Sequence, residues 1–79
     1  MSDADTMARE SQALANRIKP LLAGHSPLVQ GAALAELVSL WLAGHYQFGP
    51  ELSETILQQH IELVRELTPV NIKLLKGEQ

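Results

Sequence analysis

The chain has 79 residues, no cysteine and a formal net charge of −3. Disulfide frameworks and cysteine-based zinc sites are thereby excluded, and a mildly acidic chain whose six basic residues are mostly scattered lacks the footprint of a nucleic-acid or anionic-membrane binder. A domain this short buries only about 60% of the surface its unfolded chain exposes, so it requires very good helix packing or a partner.

The first residues read MSDADTMARESQ. They are polar and partly acidic, without the basic start and apolar run of a secretory leader. Together with the missing cysteines, this makes a cytoplasmic location the expectation. Glycine and proline then punctuate a chain with helical periodicity throughout. The expected organisation is a single helical domain over residues 1–79.

A first helix is predicted over residues 5–23. Asp3 or Asp5 is its expected N-cap, and both acids suit a helix N-terminus. Leu14, Ile18, Leu21 and Leu22 share a face, with Met7 upstream. Pro20 removes a backbone donor and disfavours helical geometry at Lys19, so a kink or break is expected there. Gly24 is a natural stop.

A second helix is predicted over residues 27–43, with Ser26 as N-cap and Pro27 in the first helical position. Gln30, Ser39 and Glu36 fall at about 0°, 180° and 240° on the helical wheel, so its polar residues share no face. Beyond Pro27 and Gly31, the rest is aliphatic, alanine or tryptophan. A helix apolar on nearly all sides is expected to be covered on all sides. The apolar stretch 28–43 is shorter than the roughly 20 residues of a membrane span, and Glu36 stands near its middle. No membrane partner is therefore expected.

A third helix is predicted over residues 50–67. Leu52, Ile56, Leu57, His60, Ile61, Leu63, Val64 and Leu67 fill one half of its wheel, and acidic and amide side chains fill the other. Glu62 and Glu66 are spaced to repel, while Glu62 and Arg65 are spaced to pair. Thr68 and Pro69 then read as a fresh N-cap and first position, opening a short helix over residues 69–76 closed by Gly77. Val70, Ile72 and Leu74 also alternate like a strand, but no second strand exists to pair with them.

Residues 21–25 and 41–45 end alike, in Leu-Ala-Gly-His. This echo falls short of a repeat architecture. It reads as two similar C-caps, each with a left-handed glycine and a histidine near the negative helix end. The stretch 20–45, PLLAGHSPLVQGAALAELVSLWLAGH, resembles that of small all-helical bacterial proteins. The resemblance brings no activity, cofactor or substrate with it.

Residues that could carry chemistry are few. No histidine pair has the spacing of a helical metal motif, and no serine sits in a nucleophile elbow. No catalytic residue, cofactor site or metal site is assigned. His25 and His45 read as cap-associated and His60 as a core or interface residue. A sharper reading joins His60 with Glu36 and His45 in a metal or acid–base site between helices. Glu36, the only charge between Lys19 and Glu51, reaches solvent at the bundle edge or pairs with Arg17, Lys19 or a histidine. Trp41, Tyr46 and Phe48 read as an aromatic plug at the bundle end, or as an exposed anchor for a partner.

The expected fold is all-α: a three-helix bundle with a short C-terminal helical tail, completed by dimerisation. Two apolar stripes cover about two-thirds of the second helix. A second copy would cover the rest through Leu34, Leu37, Val38, Leu40 and Trp41, with Glu36 and His60 as polar residues of the interface. The expected function is accordingly that of a protein–protein interaction module, homodimeric and without nucleic-acid partners. The alternatives are an adaptor for a different protein, a DNA-binding regulator, and an enzyme acting at a dimer interface through His60 and Glu36. The DNA reading is opposed by Glu51, Glu54, Glu62 and Glu66 on the third helix, which would repel phosphates.

Overall fold

The computed structural model describes residues 2–77. It is all-helical: α1 (Asp3–Leu22), α2 (Pro27–Ala43), a 3-10 turn (Tyr46–Phe48) and α3 (Pro50–Leu75). Among the described residues there is no strand, and no helix is long and apolar enough to cross a membrane. The chain divides into two compact units, Met1–Leu34 and Ala35–Gln79.

In the first unit, α1 starts earlier than the acidic residues suggested. Ser2 is the N-cap: its hydroxyl accepts from the Asp5 N–H at 3.1 Å and its carbonyl accepts from the Thr6 N–H at 3.1 Å. Asp3 and Asp5 lie inside the first turn, where their charge meets the positive helix end. Pro20 does not end the helix. It lacks one backbone donor, but the Ala23 N–H still reaches the Lys19 carbonyl at 3.1 Å. Gly24 then takes φ +85°, a conformation that costs an L side chain energy and costs glycine little. Ser26 opens α2 as expected, its hydroxyl accepting from the Val29 N–H at 3.3 Å.

Gln30, a polar residue with no polar face to join, has a local task. Its amide donates to the Leu22 carbonyl at 2.8 Å, adding to the 3.3 Å bond that this carbonyl accepts from the His25 N–H and helping to satisfy the C-terminus of α1. Ile18, Leu22, Gln30 and Ala33 are the half-buried residues of this unit, while Met7, Leu14 and Leu21 remain exposed.

In the second unit, α2 leads through the 3-10 turn into α3. Gly44 is not the left-handed stop that the Leu-Ala-Gly-His echo implied. Its N–H continues the helical pattern to the Leu40 carbonyl at 3.1 Å, and its φ is not positive. The chain keeps turning right-handed through His45 and Tyr46, and the reversal falls at Gly49, with φ +90°. Pro50 follows at the first turn of α3, where a missing N–H costs nothing.

α3 is one helix of 26 residues with Pro69 inside it. The separate tail helix expected after Thr68 is therefore corrected to a continuation. Thr68 does not act as an N-cap; its hydroxyl donates back to the Val64 carbonyl at 2.7 Å, a pattern of helix interiors. Proline removes one helical bond and crowds the carbonyl four residues before it, a cost that α3 carries without ending. The end of α3 is the expected one: the Gly77 N–H reaches the Leu74 carbonyl at 3.1 Å and Gly77 has φ +77°.

No described residue is buried. The all-round burial expected for α2 is therefore not met within this chain. In the second unit Val38, Leu42, His45, Gly49, Ser53, Ile56, Leu57, His60 and Ile61 are half-buried. They belong to the end of α2, the turn and the first part of α3.

Candidate functional site

The second unit holds the densest grouping of distinctive side chains. Trp41 lies near the end of α2, four residues before His45, so the two share a helical face. The His45 Nδ1 approaches the Trp41 carbonyl at 2.9 Å, and the two rings meet edge-on with centroids 5.9 Å apart. His60, from α3, also meets the indole, with centroids 5.2 Å apart and the planes inclined by 56°. Trp41 thus contacts two imidazoles.

This arrangement favours the structural reading of His45. It satisfies a carbonyl at the end of α2, as the Gln30 amide does for α1. His60 is half-buried against the indole. Glu36 does not join them: it is exposed, and it points about 140° away from Trp41 around α2. Among the described residues, no three histidine or carboxylate side chains are placed to hold one metal ion. The contacts the cluster makes are ring packing, an edge-to-face approach and a hydrogen bond.

Tyr46 and Phe48 project from the 3-10 turn and are both exposed. The plug expected of the three aromatics is therefore not formed; Trp41 packs with the histidines instead. Leu42, Tyr46, Gly49, Pro50, Ser53 and Leu57 line a shallow recess of about 420 Å³ beside that turn. A second open recess lies along the outer face of α3 between Glu51 and Glu62.

The residues expected at an interface occupy α2 in different states. Val38 is half-buried. Leu34 and Trp41 are exposed, Leu37 retains 52% of its accessible surface and Leu40 65%. Leucine side chains lose about 25 cal/mol of favourable transfer free energy for each Å² left in water, so an aliphatic surface of this kind favours association.

One pattern went unread in the sequence. Ser53, Ile56, His60, Leu63, Leu67, Val70 and Leu74 follow one another along α3 at alternating steps of three and four, the spacing of a coiled-coil seam. The signal is in the sequence, but reading Thr68-Pro69 as a boundary cut it in two. The first three positions are half-buried and the last four are exposed.

No protein family, curated protein or solved structure matches this chain.

Proposed function

We propose that the chain is a helical protein–protein interaction module whose apolar surface is completed by a second copy of itself. The observation that carries this reading is α2: nearly all its side chains are apolar, its three polar ones are spread around the wheel, and Leu37 and Leu40 stay exposed. Helices apolar on all sides are stable in water only when covered on all sides. Pairing across a two-fold axis covers the same patch on both copies at once and completes a helical bundle. In this reading Leu34, Leu37, Val38, Leu40 and Trp41 form the contact, Glu36 borders it, and His60 packs against Trp41.

Light scattering behind size exclusion tests the proposal. The expected result is a dimer whose population grows with concentration. Leu37→Glu and Leu40→Glu should each yield a monomer with helical circular dichroism. A parent chain monomeric throughout the range would overturn the reading. If the parent is monomeric and saturably binds an apolar-surface dye, a different protein becomes the better candidate partner.

A further inference from the structure

The α3 seam does not stop where its cover stops. Leu63, Leu67, Val70 and Leu74 lie on one stripe at steps of four, three and four, and they retain 49%, 48%, 54% and 64% of their accessible surface. Pro69 falls about 180° around the helix from His60, on the outward side. The irregularity it introduces is thus directed away from the stripe.

The charges beside the stripe narrow the choice of occupant. Glu66 stands one residue before Leu67, and Lys73 stands one residue before Leu74. They occupy equivalent flanking positions seven residues apart and carry opposite signs. The other flank presents Val64 and Asn71, which are uncharged. Flanking charges at such positions set partner and orientation in helix pairs.

We infer that residues 63–74 of α3 pair with the same segment of a second copy in antiparallel orientation. In this register Leu63 packs against Leu74 of the second copy and Leu67 against Val70 of the second copy. Two-fold symmetry repeats both layers, giving four apolar layers from four residues. Glu66 then lies beside Lys73 of the second copy, and Lys73 beside the second copy's Glu66. A parallel pair gains nothing comparable within α3, because its geometry sets each flank against the opposite flank, placing Glu66 near the uncharged Asn71 and directing Lys73 past the helix end at Leu75. The charge pattern is self-complementary only when the helices run in opposite directions.

This inference rests on the homodimer reading and adds to it an orientation, a register and an ion pair. Charge reversal tests it with exposed residues whose replacement leaves each copy folded. Dimer dissociation constants are measured by sedimentation at low salt, where flanking charges are least screened. Glu66→Lys alone and Lys73→Glu alone should each weaken the dimer about tenfold, since each replaces two attractive contacts with two repulsive ones. The double variant Glu66→Lys/Lys73→Glu should return to within about threefold of the parent. If the parent dimerises and the single reversals leave it unchanged, or the double variant fails to recover, the seam is overturned. The homodimer reading then stands or falls with Leu37→Glu and Leu40→Glu. A parent chain monomeric at every concentration overturns both.

Discussion

Residues 50–61 and 62–75 of α3 share one helix and one apolar spacing, yet their surroundings differ. In the first stretch Ser53, Ile56, Leu57, His60 and Ile61 are half-buried, and His60 meets Trp41 of α2. In the second, Leu63, Val64, Leu67, Val70 and Leu74 are all exposed. Helical periodicity determines which side chains share a face, but something else must lie against that face for burial to follow. Over residues 50–61 the end of α2 and the turn before α3 contribute to that cover. Among the described residues of the second unit the remaining stripe stays exposed, and the proposed second copy would cover it.

Pro69→Ala is the strongest test of this contrast. Proline costs about 3 kcal/mol in a helix interior relative to alanine. Restoring the N–H should therefore stabilise the exposed stretch by an amount approaching that figure, measured by chemical denaturation followed by circular dichroism. An unchanged or lowered midpoint would mean that α3 does not run intact through residue 69.

Paired alanine substitutions come next. Leu57→Ala removes a half-buried side chain and should cost about 1–2 kcal/mol, below the 2–5 kcal/mol typical of full burial. Leu67→Ala should cost less than about 0.5 kcal/mol in dilute protein, the usual range for surface changes. Raising the protein concentration should enlarge the Leu67→Ala effect, because only the associated state covers that residue. Equal costs at low concentration would erase the distinction between the two stretches.

His60→Ala probes the covered stretch directly. Losing the ring against Trp41 should cost about 1 kcal/mol, and the emission of the single tryptophan should move to longer wavelength as water reaches the indole. A spectrum identical to the parent's would place His60 away from Trp41 in solution.

Thr68→Val should have the smallest effect. It deletes the hydroxyl that donates to the Val64 carbonyl while keeping the branched shape, so a change of at most about 0.5 kcal/mol is expected. A loss above about 1 kcal/mol, read by the same denaturation, would instead assign Thr68 a capping role.

The features legible in the sequence are those governed by neighbours along the chain. Ser26-Pro27 opens α2, Gly24 and Gly77 take left-handed conformations after their helices, and the second unit's half-buried Ile56, Leu57, His60 and Ile61 lie on the face that helical periodicity assigns. Each depends on a backbone donor, a missing Cβ or a helical angle within a few residues. The helical wheel likewise made the apolar character of α2 legible on nearly all sides, and Leu34, Leu37, Leu40 and Trp41 remain exposed there.

Other features were decided by packing and by competition among local options. Gly44 and Gly24 sit in the same Leu-Ala-Gly-His context, yet only Gly24 turns left-handed, because after Gly44 the chain winds on into the 3-10 turn and reverses at Gly49. Thr68-Pro69 carries a helix-start signal, yet α3 continues through it, giving up one helical bond and crowding the carbonyl four residues earlier. Gln30 finds the Leu22 carbonyl, and Trp41 finds both His45 and His60. Periodicity alone determined which residues line a face, whereas only the tertiary structure decided what meets it, since a face's partner depends on where the turns return the chain.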